Sequence, residues 1–257
     1  MHTKVYMQVT EAIITLRKMC SNNVDWYYDY MTGNAPRILA DAHFISRQIP
    51  QSNKILDIGA IPPLFTELLR RNGFQFCSVA DPNPEPFAEY FRTTGVKSHK
   101  IDLLKGAPDE FISCYDVVCL NEVIEHLGDN LLLAIQSAKD CITPGGYLMI
   151  TTPNLRSIWG LIALVLKSSG LASKPNDNVR AQYDRASTQF GYYGHIREYT
   201  KREIVELLAS FGFKLHAYEF QANYIHFGRF TKLTAALERM LPEWRLFGKY
   251  LFQKTGN

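Results

Sequence analysis

A chain of 257 residues suits one large domain with a modest annex better than a multidomain array. With 46% apolar and 21% charged residues it can bury a proper core, which excludes wholesale disorder. The net charge of +3 carries no nucleic-acid signature, and the five cysteines form no CxxC pair or ladder, so they read as reduced.

The first apolar stretch is interrupted by Glu11, Arg17 and Lys18, so no signal peptide is expected. The longest apolar run, residues 158–166, is too short to cross a bilayer. The expectation is a soluble, cytoplasmic protein with a surface-lying or lipid-facing element.

Residues 1–49 read as a helical annex. A first helix is predicted around 9–19, then an aromatic patch of Trp26, Tyr27, Tyr28 and Tyr30, then a second helix over about 36–47. From Lys54 the pattern changes to short apolar runs separated by helical stretches. Strands are predicted at 54–59, 74–81, 96–102, 115–121 and 147–151, with helices at about 64–72, 85–93 and 129–142. That rhythm predicts an α/β, doubly wound sheet covered on both faces. Pro144-Gly145-Gly146 reads as the turn between a helix and the fifth strand.

After Asn154 an apolar helix at 157–167 leads into a polar, aperiodic stretch, and residues 157–193 read as a lid or acceptor insertion in a domain spanning 50–257. The apolar start of this insertion and its polar, aromatic second half, including Gln182, Tyr183, Gln189, Tyr192 and Tyr193, suit an amphipathic or sugar-containing small acceptor or a quinone-like ring, and an ordinary packed helix is the plainer reading of the apolar part. Thr200 and Glu203 form a capping box for a helix running to Ser210, closed by Gly212. Strands at 213–220 and 249–253 follow, with a helix near 230–240 between them. Tyr224, Ile225, Phe227, Phe230, Leu233 and Leu237 make this C-terminal portion apolar, fit for a membrane surface or a second subunit.

In a doubly wound sheet, ligands sit outside the carboxyl ends of the strands. Gly59 ends the first strand, and a side chain there would obstruct a cofactor approaching the backbone. The dinucleotide fingerprint G-x-G-x-x-G is absent: Ile61, Pro62 and Pro63 follow, and two prolines offer no N–H to a pyrophosphate. This disfavours a nicotinamide or flavin cofactor. Asp81 ends the second strand, 22 residues past Gly59, where one carboxylate could take both hydroxyls of a ribose. Asp102 ends the third and could face an adenine amine. The plain alternatives are a turn aspartate at 81 and an N-cap aspartate at 102.

These segments resemble the class I S-adenosylmethionine-dependent methyltransferases. ILDIGA (55–60), VAD (79–81), KID (100–102), YDVVCLNEVIEHL (115–127), ITPGGYLMITTPN (142–154) and GHIREYTKREIVELLASFGF (194–213) fall in that family's order and spacing. The resemblance implies a seven-stranded, mostly parallel Rossmann-like sheet with one reversed strand near the end, and S-adenosylmethionine as cofactor. It implies that Asp57, Gly59 and Ala60 pass the methionine part, Asp81 holds the ribose, and Asp102 meets the adenine. Asn121 and Glu122 would line the floor between cofactor and acceptor. Ile61 and Pro63 stand where the family usually has further glycines, so the loop should be shaped differently.

An oxygen acceptor of high pKa must lose its proton, and a neutral histidine suits that near pH 7. His126 and His195 are the base candidates. In the plain reading, His126 closes the turn before Gly128 and His195 anchors the lid by a hydrogen bond to Glu198 or to a backbone carbonyl. Arg197, Tyr199 and Tyr193 are candidate acceptor contacts. Glu122, Glu125, His126 and His195 also make a plausible divalent-metal set, and this quartet resembles the pattern in small-RNA 2′-O-methyltransferases. The reading favoured here is O-methylation of a small molecule. The alternatives are a metal-dependent RNA 2′-O-methyltransferase and a non-catalytic α/β binding module.

Overall fold

Successive residues of a strand point to opposite sheet faces, so a run that is apolar at every position needs cover on both. The computed structural model describes residues 2–21, 25–174, 178–180, 194–222 and 231–256. Seven strands form one mixed sheet in the order β3-β2-β1-β4-β5-β7-β6. They are β1 (Ile55–Ile58), β2 (Cys77–Asp81), β3 (Lys97–Lys100), β4 (Tyr115–Asn121), β5 (Ile142–Pro153), β6 (Phe213–Gln221) and β7 (Phe247–Lys254). All pairs are parallel except those of β7, which runs antiparallel to both β5 and β6. This is the predicted seven-stranded α/β sheet with its one reversed strand.

Neighbouring strand residues feed the two cores in turn. Ile55, Val117 and Met149 join Val9, Leu16, Phe44 and Leu64 from α1 (His2–Met19), α2 (Asp25–Ser46) and α3 (Leu64–Arg71). Leu56, Val118 and Leu148 join Ala134, Ile135, Ile204 and Leu208 on the other face. The latter come from α5 (Leu131–Cys141) and α7 (Lys201–Ser210); α4 (Ala88–Thr94) lies between β2 and β3 in the chain. Strand order reverses at β1, whose neighbours are β2 on one side and β4 on the other. A crevice therefore opens at the carboxyl ends of β1 and β4.

Several boundaries depart from the sequence expectation. The aromatic patch is the opening of α2 itself, which begins at Asp25 and carries Pro36 inside it. β5 starts directly after α5: Tyr115 pairs with Ile142, then the register jumps to Val117 with Tyr147. The Pro-Gly-Gly segment is thus an irregularity within a strand rather than a turn before one, with Gly145 at φ 75° supplying the bend. β3 is shorter than predicted, and its Lys-Ser-His-Lys sequence suits a sheet edge that must stay in water.

The apolar helix is α6 (Ile158–Lys167), N-capped by Ser157, whose hydroxyl accepts from the Gly160 N–H at 3.0 Å. The Thr200 capping box forms as predicted: its hydroxyl accepts from the Glu203 N–H, and Glu203 accepts from the Thr200 N–H at 2.8 Å. α8 spans Thr231–Met240. The polar stretch around Gln182, Tyr183, Gln189, Tyr192 and Tyr193 lies outside the described residues, as do Tyr224, Ile225, Phe227 and Phe230.

Candidate active site

A cavity of about 700 Å³ occupies the crevice at the carboxyl ends of the strands. Its first half is made by β1, β2 and the turn after β3. Gly59 lines it in a left-handed conformation, φ 70°, and a Cβ there would come within 2.9 Å of Val123 Cγ2. The cradle is therefore shaped by the absence of a side chain. Asp81 accepts from the Asn83 N–H at 2.7 Å, and burial raises its carboxyl from 3.8 to about 6. Asp102 N-caps a short 3₁₀ turn, accepting from the Leu104 N–H at 3.0 Å. Both aspartates play the plain turn-stabilising role and also line the cavity.

Asp57 and Ala60 sit differently. Asp57 is buried within β1 and is not among the lining residues; its carboxylate accepts from Thr66 Oγ1 at 2.8 Å and from Asn121 Nδ2 at 3.3 Å. Burial raises it to about 7. Its geometry makes it a positioning group for Asn121, whose buried Oδ1 has no protein partner and which does line the cavity. Ala60 is buried behind the wall, while Ile61 lines it.

Glu122 follows β4 with φ 55°, a strained region for a non-glycine residue. Its Oε1 lies 3.5 Å from Arg37 Nη1 and accepts from Thr151 Oγ1 at 3.4 Å. Arg37 comes from α2, with Tyr30 two turns and Asn34 one turn before it, and all three line the cavity. Burial opposes the Arg37 charge, yet Glu122, Tyr30 and Asp41 outweigh it and its pKa rises. These three were missed from sequence. The signal was available: 30, 34 and 37 lie on one face of a helix, a polar stripe in an otherwise core-facing segment.

The second half gathers residues from distant segments. The Ile196 N–H donates to the Glu125 carbonyl at 2.8 Å, which hangs the 194–198 segment beside the turn after β4. Gly128 permits the close approach: at φ 51°, a Cβ there would sit 3.1 Å from Ile196 Cδ1. His126 and His195 consequently meet edge to face, ring centroids 4.9 Å apart.

His126 pairs its Nδ1 with the Gly194 carbonyl at 2.7 Å. A carbonyl only accepts, so Nδ1 carries the proton and the lone pair is on Nε2. Burial and the neighbouring His195 lower the His126 pKa to about 4. His195 Nδ1 lies 2.8 Å from Glu198 Oε1 and 2.9 Å from Ser173 Oγ. Glu198 also accepts from the N–H groups of Ala172 and Ser173 at 2.6 and 3.1 Å. The bond foreseen between His195 and Glu198 is present, and it fixes the ring in a pocket wall. Ser173 and Lys174, also lining, had no sequence signal.

Glu125 is fully buried. Its Oε2 accepts from Thr152 Oγ1 at 3.0 Å, while Oε1 is without a hydrogen-bond partner. Burial, and next Glu122, push its carboxyl well above the usual range. Donor atoms of Glu125, His126 and His195 all lie within 4.8 Å of one another. Glu122, the fourth of the quartet, turns to Arg37 instead.

Arg197 and Tyr199 do not reach the cavity. Arg197 is exposed, pairs with Glu203 at 2.7 Å and lies over the Tyr199 ring. Tyr199 is buried in the core on the far side of the sheet from α2. Tyr193 lies outside the described residues.

Comparison with known proteins follows the same outline. A family model described as a methyltransferase domain matches residues 31–218. The mitochondrial ubiquinone biosynthesis O-methyltransferase of Mus musculus is 35% identical over 108 residues, 39% of this chain and 29% of that enzyme. The chain thus matches under a third of that relative's length. Among solved structures, the N-methyltransferase NodS of Bradyrhizobium japonicum, in complex with S-adenosyl-L-homocysteine, superposes with a TM-score of 0.56 at 14% identity. That match covers 95% of this chain and 98% of NodS. The 1,6-didemethyltoxoflavin-N1-methyltransferase of Burkholderia thailandensis gives 0.57 at 14% identity, over 90% and 86% of the two chains. At such identities the two structures speak for the fold alone. The match to the methyltransferase-domain model, spanning most of the chain, carries the assignment: this chain belongs to that family and is a class I S-adenosylmethionine-dependent methyltransferase.

Proposed function

We propose that the enzyme methylates an oxygen atom of a small-molecule acceptor, with His195 as the base. The carrying observation is the Glu198–His195 pair: a buried carboxylate sits 2.8 Å from Nδ1 of a ring that lines the cavity, which leaves Nε2 to take the acceptor's proton. A carboxylate in that position holds the imidazole in one orientation and tautomer. Relatives named as O-methyltransferases support oxygen as the acceptor atom.

The residues present fit the cofactor. Gly59 leaves room along the backbone, Asp81 and Asp102 offer carboxylates at two strand ends, and Asn121 offers an unpartnered amide oxygen. Bound there, S-adenosylmethionine supplies a methyl group activated by its sulfonium. Asp81 would bind the ribose hydroxyls, Asp102 the adenine edge, and Arg37, the buried cation of the cavity, the carboxylate of the methionine part. Since a sulfonium needs no further activation, the remaining work is alignment of the acceptor and removal of its proton. Isotope-labelled methyl transfer to a panel of hydroxylated and aromatic acceptors tests the reading. His195→Ala should lower kcat by about a hundredfold and leave S-adenosylhomocysteine affinity intact; equal loss of both would make His195 structural.

A second reading rests on Glu125, His126 and His195. Two imidazoles whose Nδ1 atoms are committed to a carbonyl and a carboxylate, beside an unpartnered carboxylate oxygen, are arranged as metal ligands are. The trio would hold a divalent cation, and a cation there would acidify an acceptor hydroxyl. Metal analysis of the purified protein, with turnover measured before and after chelation, separates the readings. Activity that survives complete removal of metal leaves the histidine base standing.

A further inference from the structure

Helix α6 is apolar on every side. Its inward positions, Gly160 and Ala163, are buried, but Leu161, Leu164, Val165 and Leu166 face outward. Leu164 is 59% exposed, Val165 75% and Leu166 76%. α8 lies against α6, with Trp159 Nε1 donating to Glu238 Oε1 at 3.1 Å. Its Leu233 and Met240 are 58% and 75% exposed, followed by Leu241. An amphipathic helix in water turns one stripe inward and covers the rest with polar groups. Here the outward stripe is the greasier one, and contiguous exposed apolar surface marks a contact.

The charges around this surface identify the contact. The exposed described residues of α6 and α8 include two ionisable groups, Lys167 and Arg239, both cationic. The acid of α8, Glu238, is buried beneath Trp159. A bilayer with anionic headgroups answers both features, taking the leucines and valine into its interface and the cations at its surface. Among the described residues no helix is long and apolar enough to cross a membrane, so the contact is peripheral.

We propose that the α6–α8 face docks on an anionic lipid surface, independently of the acceptor the enzyme uses. The test is flotation of the full chain with phosphatidylcholine vesicles, with and without phosphatidylglycerol. The wild type should float with the anionic vesicles and several-fold less with the neutral ones. Val165→Ser with Leu166→Ser should lower partitioning at least about tenfold, because both side chains lose their transfer into the interface. S-adenosylhomocysteine affinity and the melting temperature should stay unchanged, since both positions are already in water. Lys167→Glu with Arg239→Glu should remove the preference for anionic vesicles. No flotation of the wild type, or equal flotation of the serine variant, overturns the proposal. So does a concentration-dependent dimer that the serine substitutions dissociate without any vesicle binding, which would assign the face to a second copy.

Discussion

The two halves of the cavity are held by different kinds of bond. On the half proposed for the cofactor, Asp81 and Asp102 are each fixed by a backbone N–H two residues further along the chain, at Asn83 and Leu104. On the half proposed for the acceptor, His195 depends on Glu198, which is itself tied to Ala172 and Ser173, and the segment hangs from the Glu125 carbonyl. A local turn is complete once its strand is in place. The histidine constellation exists only when three separate parts of the chain have assembled. Substitutions on the first half should therefore change binding before stability, and those on the second should change stability and turnover together.

The sharpest way to break that contrast is Glu198→Ala. Glu198 is 1% exposed and accepts from two backbone N–H groups and the Ser173 hydroxyl while facing His195. Removing it strands buried donors, at about 1–3 kcal/mol for each. The variant should lose about 3 kcal/mol in urea unfolding and all detectable turnover, yet bind S-adenosylhomocysteine within about twofold of wild type if it is assayed while folded. A parallel collapse of cofactor affinity would show that the halves are one cooperative unit.

Gly59→Ala should act in the opposite sense. The new Cβ would meet Val123 Cγ2 at 2.9 Å in a left-handed backbone, costing about 1–3 kcal/mol of local strain, and should weaken S-adenosylhomocysteine binding at least about tenfold. Gly95→Ala is the control. Gly95 has φ 72° and open space around it, so it carries the backbone penalty without the clash. It should leave cofactor affinity unchanged in calorimetry; an equal loss in both variants would trace the effect to general destabilisation.

The same contrast explains what could be read from the sequence. Asp81 was legible as a cavity-lining residue because it closes the apolar run of β2, and Asp102 because it follows the end of β3 by two residues. Gly59 was legible for the same reason. Arg37 was not, since a buried guanidinium in a helix looks like any charged helical residue until Glu122 and Asp41 are seen within 3.5 and 3.7 Å. Ser173 was invisible, because its role exists through Glu198, 25 residues on. Asp57, read as passing the methionine part of the cofactor, is not among the cavity-lining residues. It lies within a cofactor-like motif, but its carboxylate turns inward to Thr66 and Asn121. Pattern identifies a residue's neighbourhood, and the direction of its side chain is decided by packing.

Acidity sharpens the contrast further. Burial lifts Asp81 from 3.8 to about 6, so its charged, accepting form is lost as pH falls through 6, where an ordinary aspartate would persist to about 4. Linkage gives the folding sign: a raised pKa contributes stability below 3.8 that fades as pH rises through 6. S-adenosylhomocysteine affinity should thus drop several-fold from pH 7 to pH 5, and Asp81→Asn should flatten most of that slope at a lower overall affinity. Whatever slope is left would belong to Asp57, whose raised value of about 7 reaches the cofactor through Asn121. An unchanged slope in Asp81→Asn would remove Asp81 from the ribose contact.

Arg197→Ala should do least, and its smallness is informative. Sequence made Arg197 a candidate acceptor contact, yet its guanidinium is 60% exposed, pairs with Glu203 and lies 5.1 Å over the Tyr199 ring, outside the cavity. An exposed pair of this kind is worth less than about 1 kcal/mol, and Glu203 retains its bonds with Thr200 in the capping box. Stability should change by less than about 0.5 kcal/mol, with KM for the acceptor and kcat unaltered. A rise in KM at constant kcat would mean that the 194–199 segment turns over when an acceptor enters and brings Arg197 to it. In that case the acceptor half is assembled by its ligand as well as by Glu198, while the cofactor half is complete without one.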